Sequence, residues 1–495
     1  MTRNEAGRGE SEGVMAVSAE RRIAVAAAPA RAAAGFETVR ALLFVLILAW
    51  APLPFGSDRA WAWSLLGLMV ALLLTASGVT ALLRAGDLPA AELRPLRVPL
   101  ALGALLILWV LVQDRPGGIL LWHHPLWDAA AAVLGPDLRP SLSVDREAST
   151  SHLFRLLAYG GVFLLAWQAA RRREGAALLV KSLALVGTLY ALYGIAEFAA
   201  PHPAILWFRK WAYDADVTST FVNRNSFATY AGLTVLANLA LLAATFRRNT
   251  DAASRRALML SVADTILRRG RWRVLGLICA GPALLLSHSR GGVLATLCGI
   301  LTFLALYRAA RSLRSPGRRP FGWAAGVGAI LAFALAGSGV LARFLAADPA
   351  EDGRMVIYAH LLRAIGDNLV AGTGLGSFPF IYPMYEPRNA VSLVDLAHND
   401  WLENLLDLGL PGAALLFALL ALLAGRCVRG VFRRRRDALY PCLGAAASLL
   451  VGLHAMVDFS LQIPAVSVTY AALLGIGVGQ SARSGDWERM TGGAA

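Results

Sequence analysis

A histidine and an asparagine, His398-Asn399, stand nine residues ahead of Gly409-Leu410-Pro411-Gly412. An imidazole changes charge near neutral pH, so it can take a proton from an attacking hydroxyl. Two arginines have the complementary chemistry: Arg290 in Ser289-Arg290-Gly291-Gly292 and Arg354 in Asp352-Gly353-Arg354. Their forked donors match the oxygens of a phosphate or diphosphate. Gly291-Gly292 also open a predicted helix, whose free N–H groups and dipole attract anions. His454 and Asp458 lie four apart, on one face of a helix, and a carboxylate at membrane depth points to function. Asn223 and Asn225, within Phe221-Val222-Asn223-Arg224-Asn225-Ser226, offer more hydrogen bonding than one helix cap uses. Plainer readings stand beside these: His398 as a loop cap, Arg290 as the ion-pair partner of Asp458, and the asparagines as a redundant N-cap.

The element that carries His398 reads as a short helix. Asn399 can cap it, Asp400 sits in the first turn where the dipole favours an anion, and Gly409 with Pro411 ends it. Leu402, Leu405 and Leu406 form an apolar stripe, with Asp400, Glu403 and Asp407 on the opposite side. Such a helix can lie along a surface and hold His398 at its mouth.

The surface is a membrane. The chain is 57% hydrophobic and 16% charged, and its mean hydropathy is +0.56, outside the range of a soluble chain. A bilayer core of about 30 Å needs ~20 apolar residues per helix. The pattern predicts an all-α polytopic fold with about 12 spans, over 41–54, 61–83, 97–113, 153–170, 175–199, 225–246, 273–288, 291–309, 322–346, 411–428, 440–459 and 465–480. Arg and Lys cluster in alternate loops, notably 247–273 and 433–436, which sets the N-terminus inside and the loops 114–152, 200–224 and 347–410 outside. The net charge of +15 follows from this bias together with attraction to membrane lipids, and needs no nucleic acid. Residues 1–39 read as a disordered cytoplasmic tail, 40–480 as the transmembrane domain with 347–410 as its large outer loop, and 481–495 as a second cytoplasmic tail.

Other patterns carry less. Cys279, Cys298, Cys427 and Cys442 show neither a disulfide framework nor C-x-x-C spacing. His123-His124 are adjacent and point apart, a poor metal pair. Asp214 and Asp216 form a D-x-D, the cation-holding pattern of nucleotide-sugar enzymes, but on the side where such sugars are absent. The surrounding Trp207–Asp216 stretch reads as an interfacial helix. Gly372-Thr373-Gly374-Leu375-Gly376 does not fit G-x-G-x-x-G and reads as a tight backbone path. A base and two guanidiniums on one side fit transfer of a sugar chain from a lipid diphosphate to a hydroxyl acceptor, with no nucleotide, no cofactor and no metal.

His398-Asn399-x9-Gly409-x-x-Gly412, Ser289-Arg290-Gly291, Asn223-x-Asn225 and His454-x-x-x-Asp458-Phe459 together resemble the O-antigen ligase and polymerase family of bacterial inner-membrane proteins, over roughly 215–465. The resemblance implies about a dozen helices, a periplasmic loop domain and an undecaprenyl-diphosphate-linked glycan as donor. The acceptor it implies is lipid A-core for a ligase and another lipid-linked repeat unit for a polymerase. His398 would be the base, Arg290 and Arg354 the diphosphate ligands, and Asn223, Asn225, Asn399 and Asp458 the support. A small-anion (inorganic carbon) transporter and a protein O-glycosyltransferase are the rival readings.

Overall fold

The computed structural model describes residues 37–85, 93–117, 122–246, 264, 268, 270–312, 349–386, 394–434 and 437–482. The chain divides into two compact units. In the first, Met1–Leu46, the described residues 37–46 are helical. All that follows concerns the second, Ile47–Ala495.

Its helices are α1 (Ala60–Ala85), α2 (Arg97–Gln113), α3 (Leu126–Leu134), α4 (Arg146–Ala170) and α5 (Arg173–Phe198), then α6 (Arg224–Phe246), α7 (Arg271–Leu286) and α8 (Arg290–Ser312). They continue as α9 (Pro349–Asn368), α10 (Phe378–Ile381), α11 (Asp400–Arg433), α12 (Leu439–His454) and α13 (Pro464–Gly479). Among the described residues, 7 helical segments are long and apolar enough to cross a membrane. They correspond to the expected spans at 61–83, 97–113, 153–170, 175–199, 225–246, 291–309 and 411–428. The expected spans at 273–288, 440–459 and 465–480 appear as α7, α12 and α13, of 16 residues each. At 1.5 Å per residue each is about 24 Å long, shorter than the ~30 Å hydrocarbon core. The expected span at 322–346 lies outside the described residues. The stretch expected as an interfacial helix is instead a two-stranded antiparallel hairpin, β1 (Ala204–Ile205) and β2 (Phe208–Arg209), followed by turns.

Every residue of α13 is buried, as a helix without a polar face must be when neighbours surround it. It packs closely on α4 because both helices present small residues. A Cβ on Gly475 would lie 2.6 Å from the Phe163 carbonyl oxygen and 2.9 Å from the Ala166 Cβ, and one on Gly479 would lie 2.9 Å from the Trp167 carbonyl oxygen. Without a hydrophobic effect between lipid-embedded helices, this backbone-to-backbone approach is what holds them together.

The helix of His398 does not end in a loop at Gly409. It runs into the spanning helix as one element, α11, broken only at Gly409 (φ 62, ψ 179). A break orphans the carbonyls of the preceding turn, and they must find donors. Leu406 accepts from Thr373 N at 3.1 Å, Asp407 from Gly374 N at 2.9 Å and from Gln113 Nε2 at 2.9 Å, and Leu408 from Trp109 Nε1 at 2.7 Å. The glycine run at 372–376 supplies two of these donors. It must pass so close that a Cβ on Gly372 would sit 2.4 Å from the Asp407 oxygen, and Gly372, Gly374 and Gly376 all have positive φ.

The acidic side of this helix was expected to oppose the packed face, but both sides are packed, with Leu402, Leu405 and Leu406 in a core cluster. Asp400, Glu403 and Asp407 are buried, because each carboxylate receives donors from an adjoining loop. Asp400 Oδ2 accepts from Leu461 N at 3.1 Å, Glu403 Oε2 from Ala397 N at 2.8 Å, and Asp407 Oδ2 from Gly376 N at 2.6 Å. Buried carboxyl groups are tolerated where donors meet them in this way.

Candidate functional site

The start of α11 fixes the histidine. Asn399 caps the helix by accepting from Trp401 N and Leu402 N, both at 3.1 Å, and its own Nδ2 donates to the Met456 carbonyl at 2.9 Å. Asp400 N donates to the Ala455 carbonyl at 2.9 Å. Two bonds thus pin the His398–Asp400 turn to the turn that follows α12. Tyr358 Oη adds a third hold, donating to the His398 carbonyl at 2.8 Å.

Across that junction His398 Nδ1 meets Asp458 Oδ1 at 3.3 Å. A carboxylate only accepts, so Nδ1 carries the proton and Nε2 is left as the basic nitrogen. Asn225 Nδ2 donates to the same carboxylate oxygen at 3.2 Å, and Ser460 Oγ donates to Oδ2 at 3.1 Å. His454 Nδ1 stands 3.0 Å from Ser460 Oγ and 2.9 Å from Thr229 Oγ1. Burial would push the Asp458 carboxyl up, but the His398 hydrogen bond and the charges of His454, His398 and Arg354 outweigh it and hold the carboxyl below its ordinary value.

Next to this network lies a cavity of about 490 Å³, lined among others by Arg290, Arg354, Asn225, Arg224 and His288. Ser289 caps α8 by accepting from Gly292 N at 3.2 Å, which sets Arg290 as the first helical residue. Gly292 lets α8 press on α6, since a Cβ there would lie 2.5 Å from the Ala228 Cβ. Arg354 spends one donor on the Val457 carbonyl, 3.1 Å from NH1. Asn225 lines the cavity and bonds Asp458, so the cavity and the His398 pair share a wall.

The seven residues singled out in the sequence divide into three groups. Arg290, Arg354 and Asn225 line the cavity. His398 and Asp458 pair beside it. Asn223 and Asn399 are caps: Asn223 Oδ1 accepts from Asn225 N at 2.7 Å and Ser226 N at 3.2 Å, as the plainer reading held. The carboxylate of Asp458 is bonded by His398, Asn225 and Ser460, not in the Arg290 pair considered above.

A second histidine–carboxylate pair escaped the sequence. His288 Nδ1 lies 2.7 Å from Asp216 Oδ1, and Arg224 donates to Asp216 Oδ2 at 3.0 Å. Asp216, half of the rejected D-x-D, is thus occupied by a histidine and an arginine. His288 and His398 both hold left-handed backbones, at φ 50 and φ 51, a conformation that costs a non-glycine residue ~1–2 kcal/mol. No spacing rule links residues from loops so far apart in the chain.

A multi-helix bundle carrying a guanidinium-lined cavity beside a half-buried histidine on a buried carboxylate fits a multi-pass membrane protein with the makings of a group-transfer site. Residues 275–417 match the model of the O-antigen ligase family, so the resemblance carried by the motifs is borne out. The match runs from α7 into α11 and contains Arg290, Arg354 and His398, whereas Asn223, Asn225 and Asp458 fall outside it. It supports glycan transfer of the O-antigen ligase or polymerase type, by a membrane glycosyltransferase-like enzyme with a lipid-linked glycan and an acceptor as partners. No curated protein matches the chain.

Proposed function

We propose that this protein is an O-antigen ligase-like transferase that moves a glycan from undecaprenyl diphosphate to a hydroxyl of lipid A-core or a related acceptor at the periplasmic face of the inner membrane. Joining lipid-linked repeats, as a polymerase does, uses the same donor chemistry. The observation that carries this reading is the shared wall: Asn225 lines the cavity with Arg290 and Arg354 and also bonds the carboxylate partner of His398.

In this reaction the acceptor oxygen attacks the anomeric carbon and its proton passes to His398 Nε2. The bond from that carbon to the phosphate oxygen breaks, and the diphosphate leaves with the electron pair. Charge grows on the leaving oxygen, so Arg290 and Arg354 bind the transition state more strongly than the ground state. Asp458 holds the ring in the productive tautomer and stabilises the imidazolium that forms. No metal is assigned a role, because the arginines supply the positive charge.

The test is transfer in vitro by purified protein, from lipid-linked glycan to acceptor. His398→Ala should lower turnover by about 10²–10⁴-fold at normal abundance, and wild-type activity should survive chelation by EDTA. An active His398→Ala protein returns His398 to capping, and magnesium-restorable loss in EDTA returns a metal to the mechanism.

A further inference from the structure

The cavity has a wall that the reaction above does not use. Arg224 and His288 line it together with Arg290 and Arg354. Both are held by one buried carboxylate: His288 Nδ1 is 2.7 Å from Asp216 Oδ1, and Arg224 NH1 is 3.0 Å from Asp216 Oδ2. Asp216 is itself fixed, since its backbone carbonyl accepts from the buried Lys210 Nζ at 2.6 Å. The guanidinium of Arg224 also packs over the Tyr213 ring, 5.4 Å from its centroid.

With Nδ1 bonded to the carboxylate, the His288 ring turns Nε2 outward, and the side chain remains 55% exposed. It keeps this position on a left-handed backbone, where a glycine or asparagine would be less strained. Such an outlier points from geometry to a role for the side chain. An imidazole that carries both ring protons donates from each nitrogen, so with Nδ1 on Asp216 the Nε2–H is the donor left for an anion. A single phosphate fills the donors of two arginines, while a diphosphate has a second phosphoryl group to place.

We propose that Arg224 and His288, anchored by Asp216, form a second phosphoryl subsite, so that the diphosphate is shared between the Arg290/Arg354 wall and the Arg224/His288 wall. This rests on the lipid-diphosphate reading of the cavity. Its distinguishing consequence is a preference for two linked phosphates over one.

Binding of inorganic pyrophosphate and of inorganic phosphate to the full chain, purified in detergent, separates the possibilities. Wild-type protein should favour pyrophosphate, and His288→Gln should reduce that preference by roughly tenfold, the weight of one charge-assisted hydrogen bond, while leaving phosphate binding in place. His288 is more than half exposed, so this substitution leaves folding intact. Asp216→Asn, which loosens both members of the wall, should reduce the preference further. Arg290→Lys should weaken both ligands alike. An unchanged preference in a folded His288→Gln protein overturns the second subsite and leaves the diphosphate reading standing, with Asp216 merely tying two loops together. Wild-type protein that binds neither anion sinks the diphosphate reading and this inference with it.

Discussion

Asp458 is the residue on which the candidate site turns. It is 1% exposed, yet its two oxygens take bonds from His398, Asn225 and Ser460. Asp458→Asn keeps the shape but can present an N–H to His398 Nδ1, which would move the ring proton to Nε2 and leave no base there. We expect turnover to fall by about 10²–10⁴-fold with the donor KM little changed. Stability supplies an independent readout. The folded carboxyl lies below its ordinary value of 3.8, so the stabilisation it contributes is full above that value and is lost as the pH falls through the depressed one. The stability gap between wild type and Asp458→Asn, measured by thermal unfolding in detergent, should therefore be widest near neutral pH and close on acidification below pH 3.8. A gap that widens on acidification refutes this assignment.

At the scale of elements, the break in α11 joins the site to the membrane span. Gly409 has φ 62 and ψ 179, and a Cβ there would lie 2.6 Å from Gly372 N and 2.8 Å from the Ala371 carbonyl carbon. Gly409→Ala should cost several kcal/mol, from ~1–3 kcal/mol of backbone strain plus displacement of the glycine run. Gly425 lies in the same helix with open space around it, and Gly425→Ala should be neutral or stabilising by about 0.5–1 kcal/mol. Equal melting temperatures for the two variants would contradict this account. The capping by Asn399 and a break at Gly409 were legible in the sequence, because cap and breaker residues act locally, although the helix resumes beyond the break. The burial of Asp400, Glu403 and Asp407 was not, since an acidic stripe looks solvated until the loops that donate to it are known. Trp207–Asp216 failed for a related reason: aromatic content marks an interface without fixing the backbone. The Asp216–His288 pair was invisible because it forms only when the loop after β2 meets the turn between α7 and α8.

For the whole molecule, hydropathy located the long spans, and of the three 16-residue helices α12 and α13 are largely enclosed by protein, so they need not match the lipid. The segments that build the site come together at one place in the bundle. The His398 turn, the residues after α12, the start of α6 and the α7–α8 turn all meet there. Arg and Lys placement predicts that this part of the bundle faces outside. A phosphatase reporter fused after Asp137, in the α3–α4 loop, should be active only from the periplasm, and one fused after Ala438, before α12, should be inactive there. The opposite pattern would put His398 on the side where the proposed donor glycan is absent.

The enclosed position of α13 also says something about how the chain is made. Its partner α4 is synthesised about 300 residues earlier, roughly 15–60 s at ~5–20 residues per second. For that interval the face of α4 that carries Ala166 and Ala170 is without the glycines of α13. The close α4–α13 contact therefore forms only once α13 has been made, well after every residue that lines the cavity.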